Sequence, residues 1–352
     1  MSNLTGTVDL LEKQIPNLMK KNDVVGLSIV LIRDAEIAWS KGYGFKNLDL
    51  KTKTSNETVF EIASLTKPVV ALLALKLSEQ KDLDLNTPLV NYLPKPQLIN
   101  QPLENQLTAR QILTHSTGFP NWGKTRGSPN IFFTPGERFS YSGEGFMYLQ
   151  KVLESLTGKD LESLAQEMLF HPLGLEHASF LWRKDIENLS ALGYLRDKTP
   201  KNMKPFAPTA AGSLHLSPSD YAQILICLMN QGNKRDFELS NALIQEMLSP
   251  QVPVSDAGLS DRHHLPKSQI TESTSVFWGL GWGLEKIDTK INHWHWGNNS
   301  SFQHIVFWNR TEKNGMVLMS NSERVPFIWE NVLKIADPGP HPGLEWLFSH
   351  YF

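Results

Sequence analysis

The chain has 352 residues, of which 40% are hydrophobic, and its 34 basic and 36 acidic side chains give a formal net charge of −2. This length and apolar content suffice for a sizeable core, and the nearly balanced charge argues against a polyanionic partner such as nucleic acid. The single cysteine, Cys227, excludes an internal disulfide.

The N-terminal segment has no basic stretch followed by an apolar one, so the sequence as it stands predicts no signal peptide. Its longest apolar runs, such as that from Val69 to Leu75, are much shorter than the roughly 20 residues of a membrane-spanning helix. We therefore expect a soluble, cytoplasmic protein without a membrane span. No sequence feature indicates an oligomeric state.

The first part of the chain predicts one helix and then short strands. Apolar spacing indicates an amphipathic helix from Val8 to Lys21. Two β-rich runs, Val25 to Ile32 and Glu36 to Tyr43, form a predicted hairpin. A third β-rich run, Val59 to Ile62, ends just before Ser64.

From Pro68 onward the pattern becomes helical, and the first of these helices is apolar almost all round, which predicts that it is buried. Further helices are predicted over residues 108–113, 144–157, 160–170 and 218–231. After a polar stretch from Val254 to Thr274, strands are predicted over residues 277–284, 291–296, 302–308 and 315–320, and two helices over residues 326–335 and 344–352.

Strands at both ends of the chain with helices between them predict an α/β fold of the α+β type. Residues 1–67 and 232–352 would form one antiparallel sheet flanked by helices, and residues 68–231 a mainly helical inserted domain. The cleft between the two is the expected active site.

Ser64 and Lys67 form the strongest chemical motif of the sequence. The i and i+3 spacing places both side chains on one helix face, where a lysine with a lowered pKa is able to activate a serine hydroxyl. Ser78 and Lys81 have the same spacing, but they lie at a polar helix end with no strand leading into it. The strand before Ser64 and the buried helix after it therefore favour Ser64 as a nucleophile.

Four segments resemble the serine β-lactamase-related superfamily, which includes class C β-lactamases, penicillin-binding-protein-like D-peptidases and esterases of the same fold. They occur in the expected order, and the likeness extends over residues 25–322. The segments are Val59 to Pro68, Leu107 to Pro120, Pro135 to Ser142, and His295-Trp296-Gly297.

The resemblance implies a role for each matched residue. Ser64 would attack a carbonyl and become acylated, with Lys67 and Tyr141 as the general-base pair. The backbone N–H groups of Ser64 and Asn298 would form the oxyanion hole. The residues expected to contact substrate are His295, Trp296, Gly297, Gly143 and Trp122.

Two departures from the family pattern bear on the substrate. Many members have Tyr-x-Asn where this chain has Tyr141-Ser142-Gly143, so Gly143 cannot offer a side-chain amide to an acylamino group. Class C β-lactamases have Lys-Thr-Gly where this chain has His295-Trp296-Gly297, and an imidazole is mostly neutral at pH 7. Both changes favour small esters or amides over β-lactams.

The resulting hypothesis is a serine hydrolase that acts on small esters or amides through a Ser64 acyl-enzyme without a cofactor. The alternatives are a D-amino-acid peptidase, a β-lactamase, a transacylase, or an acyl-ligand-binding module without turnover. A zinc site from His293, His295 and the pair His263-His264 is a weaker hypothesis, because the chain lacks His-Glu-x-x-His. An α/β-hydrolase is disfavoured because the chain has no Gly-x-Ser-x-Gly.

Overall fold

An antiparallel sheet is the central element of the computed structural model, which describes residues 4–93, 102–123, 130–201, 207–234, 236–259 and 265–352. Within these residues the strands are β1 (Gly26–Arg33), β2 (Glu36–Asn47), β3 (Thr52–Lys53), β4 (Phe60–Glu61), β5 (Gly193–Tyr194), β6 (Pro200–Lys201), β7 (His215–Leu216), β8 (Val252–Ser255), β9 (Glu272–Trp278), β10 (Gly283–Ile287), β11 (Lys290–Asn298), β12 (Gln303–Asn309) and β13 (Asn314–Ser320).

Nine of these described strands form the main sheet, in the order β3-β2-β1-β13-β12-β11-β10-β9-β8. The N-terminal hairpin pairs with the C-terminal strand β13, where Ile29 lies opposite Leu318. The predicted α+β fold, with one antiparallel sheet built from both ends of the chain, is therefore confirmed. The short strands pair outside this sheet, β4 with β7 and β5 with β6.

Helices cover both faces of the sheet. They are α1 (Leu4–Asn22), α2 (Thr66–Glu79), α3 (Ala109–Leu113), α4 (Gly143–Thr157), α5 (Leu161–Ala165), α6 (His171–Leu173), α7 (Lys184–Glu187), α8 (Pro218–Met229), α9 (Asn241–Met247), α10 (Pro326–Ala336) and α11 (Pro342–Tyr351). Within the described ranges, none of the helices combines the length and the apolar character that crossing a bilayer requires.

Alternation along the strands divides the core into two layers. On β1, Leu27 and Ile29 pack with α1, α10 and α11, whereas Val30 and Ile32 face the layer that contains α2 and α8. This two-residue period is the ordinary consequence of strand geometry. The buried helix α2, which starts beside Ser64, belongs to this second layer, and α8 packs against β1 and β13.

The predicted hairpin of β1 and β2 is present, and a two-residue turn closes it. Asp34 and Ala35 join β1 to β2 with φ angles of 52° and 58°. Two successive residues with positive φ are typical of the two-residue turns that match the twist of paired strands.

The prediction of a single strand over residues 277–284 is wrong. β9 ends at Trp278 and β10 begins at Gly283, with Gly281 at a φ of 89° in the turn between them. The turn residues Leu280 and Trp282 are fully buried under the helical layer. Because burial demands apolar residues there, the turn resembles a strand in composition.

The sequence predicts no regular structure from Val254 to Thr274, but two strands overlap this stretch. β8 overlaps the polar stretch from Val254, and β9 begins at Glu272. β8 is the last strand of the sheet and contains Pro253, a residue that edge strands tolerate because it lacks a backbone N–H.

A buried carboxylate attaches helix α11 to the sheet. Glu285 on β10 is fully buried and accepts hydrogen bonds from His341 Nδ1 at 2.8 Å, from the Gly343 N–H at 3.0 Å and from Asn292 Nδ2 at 2.9 Å. Burial disfavours the protonated imidazole, but Glu285 and Asp337 outweigh this effect and raise the pKa of His341.

We expect Glu285→Ala to lower the free energy of unfolding by about 3 kcal/mol, because three buried donors lose their acceptor. Urea unfolding at pH 7 measures this change. Lys334→Ala on α10, which removes an exposed ion pair with Glu330, is the matched control and should change stability by less than about 0.5 kcal/mol. Equal effects of the two substitutions would contradict the anchoring role of Glu285.

Candidate active site

Ser64 lies in a sharp turn between a strand and a helix. The turn Ala63–Leu65 connects β4 to α2, and Ala63 has a φ of 48°, an unfavourable value for a residue with a side chain. The Ile62 N–H donates to the Leu214 carbonyl at 2.8 Å, which holds the entering strand. The turn leaves Ser64 partly exposed between buried neighbours.

Lys67 is buried directly beside Ser64. Its Nζ lies 2.8 Å from Ser64 Oγ and 2.7 Å from the Ala211 carbonyl oxygen, and the residue is only 1% exposed. Burial lowers the pKa of Lys67 to about 7. A substantial fraction of this amine is therefore neutral at pH 7, and it is able to donate to Ala211 while accepting the Ser64 proton.

Tyr141 faces the same pair. The Lys67 Nζ is 5.0 Å from the centre of its ring. Burial raises the pKa of Tyr141, and the neighbouring Ser64 hydroxyl opposes this effect only in part. The phenol therefore stays protonated at neutral pH.

His115 holds the loop that carries Tyr141. Its Nδ1 accepts from the Ser142 N–H at 3.0 Å, and its carbonyl accepts from the Ser140 N–H at 2.7 Å. The imidazole is buried against the Tyr141 ring, with 4.2 Å between their centres. Burial, with Lys67 and His295 nearby, lowers the pKa of His115, so this support is neutral.

The end of β11 lies against the turn that carries Ser64. A Cβ atom at Gly297 would be 2.3 Å from the Ile62 carbonyl oxygen, so only glycine permits this approach. On the adjacent strand β12, His304 Nε2 donates to the Glu61 carbonyl at 2.9 Å. Asn298 is thereby held next to the Ser64 turn.

His295 lies on the β11 face directed at α2. Its Nδ1 donates to the Trp296 carbonyl at 2.8 Å, and burial together with Lys67 lowers its pKa to about 3. The imidazole is therefore neutral at physiological pH and offers no positive charge to a substrate carboxylate. The Nδ1 hydrogen bond leaves the Nε2 lone pair as the remaining polar function of the ring.

Trp296 projects to the opposite face of the sheet. It is 1% exposed and packs on Tyr141 and Tyr351, with ring-centre distances of 4.9 Å and 5.4 Å. This placement supports the Tyr141 ring from behind. At this position the Trp296 side chain has almost no surface open to solvent.

Gly143 and Trp122 are brought together at the start of α4. Trp122 is 47% exposed, and its indole ring lies against the Cα of Gly143. The structure thus brings Ser64, Lys67 and Tyr141 together. Gly143 follows Tyr141 by two residues in the chain, and Trp122 contacts Gly143.

Three parts of the site had no assignment from sequence. The first is the Ala211 carbonyl, which accepts the Lys67 hydrogen bond and is a backbone group in an Ala-Ala-Gly run.

The second is Tyr351, whose hydroxyl forms hydrogen bonds with the side chains of Trp296 and Asn298. Burial raises the pKa of Tyr351, and these hydrogen bonds oppose the effect. Glu61 was detectable as a carboxylate inside a strand predicted to lead to Ser64.

Glu61 connects the nucleophile turn to the loop after β11. Asn299 Nδ2 donates to its carboxylate at 2.6 Å, while Asn299 Oδ1 accepts from the Phe302 N–H at 2.9 Å. Burial raises the pKa of Glu61 to about 7, and Asn299 and Lys201 lower it only in part.

The histidines do not assemble into a metal centre within the described ranges, where no group of three or more His, Cys, Asp or Glu side chains is suitably placed. His293 Nε2 instead contacts the Leu248 carbonyl at 3.3 Å, and its ring packs on Trp308. His263 and His264 lie outside the described residues.

A family model described as Beta-lactamase matches residues 11–331. The chain belongs to the β-lactamase family. This family is one of serine hydrolases, and the predicted resemblance to it is confirmed.

Curated relatives and solved structures agree with this assignment. Protein flp of Staphylococcus aureus (strain N315) is 23% identical over 92% of this chain and 65% of its own length. Teichoic acid D-alanine hydrolase of S. aureus (strain MRSA252) is 23% identical over 66% of this chain and 61% of its own. The chain thus spans less than two thirds of these relatives. D-alanine carboxypeptidase AmpC of Burkholderia cenocepacia shares the fold, with a TM-score of 0.77 and 17% identity over 95% of this chain and 99% of its own.

Because the pKa of Glu61 is raised in the folded state, the effect of Glu61→Gln on the free energy of unfolding should depend on pH. A carboxyl whose folded pKa exceeds its unfolded value of 4.5 stabilises the fold below about pH 4.5, and this contribution is lost as the pH rises through 7. The wild type should therefore lose about 2 kcal/mol relative to Glu61→Gln between pH 5 and pH 8.

Urea unfolding at the two pH values measures this difference. Glu57→Gln, at an exposed position four residues earlier, is the control and should show no such dependence. A constant difference between wild type and Glu61→Gln across this pH range would contradict a raised pKa of Glu61.

Proposed function

We propose that this protein hydrolyses small esters or amides through an acyl-enzyme on Ser64. The observation that carries this proposal is the buried Lys67 amine, which lies 2.8 Å from the Ser64 hydroxyl oxygen and has a pKa lowered to about 7. A base with a pKa near the working pH is best suited to proton transfer.

In the first half of the proposed reaction, neutral Lys67 takes the Ser64 proton as Ser64 Oγ bonds to the substrate carbonyl carbon. The resulting oxyanion accepts hydrogen bonds from the backbone N–H groups of Ser64 and Asn298. Tyr141 then protonates the leaving oxygen or nitrogen as its bond to the carbonyl carbon breaks. The Lys67 ammonium returns a proton to Tyr141, and Lys67 is neutral again.

In the second half, water attacks the acyl carbon and loses a proton to Lys67. The bond to Ser64 Oγ breaks, and Lys67 returns the proton to this oxygen. The carboxylic acid leaves, and the starting protonation states are restored. One lysine thus serves both half-reactions, which requires that its pKa remain close to the working pH.

The polar groups around Ser64 favour uncharged substrates. His295 is neutral, and Gly143 provides no side-chain amide. Small esters and simple amides need neither group, so we place them ahead of β-lactams. The names of the relatives support a second candidate, the release of D-alanine from teichoic acid or from a peptide, by the same Ser64 chemistry.

Intact-mass spectrometry tests the proposed nucleophile. Incubation with a p-nitrophenyl ester should add the mass of one acyl group to the wild type, and Ser64→Ala should abolish this adduct and lower kcat by about 10³-fold or more. Ser78→Ala is the matched control, because Ser78 has the same spacing to Lys81 but lies half-buried at the C-terminal end of α2.

Ser78→Ala should acylate like the wild type. Persistence of the adduct in folded Ser64→Ala would refute Ser64 as the nucleophile. Failure of the folded wild type to form any adduct with an ester, a D-alanyl peptide or a penicillin would instead favour a binding module.

A further inference from the structure

We propose that Glu61 is a positioning residue of the oxyanion hole, because it holds the Asn299 side chain and thereby fixes the backbone N–H of Asn298 next to the Ser64 turn. This inference rests on the proposed Ser64 hydrolase and adds to it a residue that acts through another residue. It comes from the contacts between strand β4 and the turn that joins β11 to β12.

The Asn299 side chain holds together the short turn between β11 and β12. Asn299 Oδ1 accepts a hydrogen bond from the Phe302 N–H at 2.9 Å, and the Asn299 N–H donates to the Phe302 carbonyl at 3.2 Å. Within this turn Ser300 has a φ of 76°, which is unfavourable for a residue with a side chain. Such a backbone conformation persists only where the surrounding contacts hold it.

Glu61 attaches this turn to the segment that carries the nucleophile. Its carboxylate accepts from Asn299 Nδ2 at 2.6 Å, and its backbone carbonyl accepts from His304 Nε2 at 2.9 Å. Glu61 is only 7% exposed, and such burial strengthens its hydrogen bonds relative to those made in water. One residue of β4 therefore holds the hairpin of β11 and β12 at two points.

Asn298 lies between two contacts with the segment that leads to Ser64. On its N-terminal side Gly297 lies against the Ile62 carbonyl, where a Cβ atom would be only 2.3 Å from the oxygen. On its C-terminal side the next residue is bonded to Glu61. These two contacts set the position of the Asn298 N–H relative to the Ser64 N–H. An oxyanion hole depends on this, because its donors are effective when they are already placed around the developing charge.

The titratable side chains that the described residues place around Glu61 are Lys201, His215 and His304. Lys201 on β6 lowers the pKa of Glu61 without outweighing burial. His304 on β12 and His215 on β7, which is paired opposite Glu61, have pKa values lowered to about 4 by burial. Both imidazoles are therefore neutral above about pH 6. Whether Glu61 is protonated or ionised, it keeps an oxygen that accepts from Asn299.

The test measures kcat for p-nitrophenyl acetate and the ratio of kcat/KM between this ester and its thiono analogue, whose sulfur is a poor hydrogen-bond acceptor. Glu61→Ala should lower kcat about 30-fold and the ester-to-thionoester ratio about tenfold. Because both half-reactions form an oxyanion, KM should change by less than about twofold. Glu61→Gln, which keeps an oxygen for Asn299, should remain within about threefold of the wild type in both quantities. Glu57→Ala, at an exposed position four residues earlier, is the control and should change neither.

Reversing the donor and the acceptor provides a second test. Asn299→Asp keeps an oxygen for the Phe302 N–H but places a second carboxylate against Glu61. Two adjacent carboxylates repel each other unless they share a proton, so the kcat of this variant relative to that of the wild type should fall about tenfold from pH 6 to pH 8. Glu61→Gln combined with Asn299→Asp again places a donor opposite an acceptor, and kcat should return to within about threefold of the wild type at both pH values.

Wild-type values of kcat and of the ester-to-thionoester ratio in folded Glu61→Ala would overturn the positioning role. A folded double variant that is as slow at pH 8 as Asn299→Asp alone would overturn it as well, and this comparison applies even if Glu61→Ala does not fold. Hydrolysis that survives in Ser64→Ala would instead overturn the proposed function, so the two failures are distinguishable.

Discussion

The burial of one amine next to one hydroxyl is the constraint on which the rest of the site depends. The Lys67 amine contacts the Ser64 hydroxyl and the Ala211 carbonyl. Its Nζ also lies 5.0 Å from the ring centre of Tyr141 and 5.8 Å from that of Phe146. A full ammonium charge is costly in such surroundings, so the neutral amine is favoured. The same burial that lowers the pKa of Lys67 would destabilise the fold if the amine had no hydrogen-bond partner.

The architecture supplies those partners from distant parts of the chain. β4 and α2 place Ser64 and Lys67, the segment before β7 provides the Ala211 carbonyl, and the loop before α4 brings Tyr141. The long sheet then carries β11 to the Ser64 turn, where Gly297 permits close contact with Ile62. Because these elements meet only in the folded chain, the site exists only when the sheet and the helical layer are packed together.

The sequence predicted the elements whose patterns are local. The strand before Ser64, the buried helix α2 and the hairpin of β1 and β2 follow from periodicity and turn residues. Tyr141 and Asn298 required the family resemblance, since no local pattern connects them to Ser64. The Ala211 carbonyl could not be predicted, because a backbone acceptor leaves no mark on the side-chain sequence.

The prediction of one strand over residues 277–284 failed because long-range packing had altered the local pattern. The turn between β9 and β10 is apolar because Leu280 and Trp282 lie beneath the helical layer. Adjacent residues of a strand, such as His295 and Trp296 on β11, face opposite sides of a sheet. That alternation was available from the sequence and explains why His295 reaches the Lys67 side while Trp296 supports Tyr141 from behind.

The titration of Lys67 tests this account most directly. The ¹³Cε chemical shift of Lys67, assigned by its loss in Lys67→Arg, reports the protonation of this amine by NMR. The account predicts a midpoint at about pH 7, well below the ordinary lysine pKa of 10.5. A midpoint above pH 9.5 would show that Lys67 is an ammonium ion at neutral pH, and it would contradict the role of Lys67 as the base that activates Ser64.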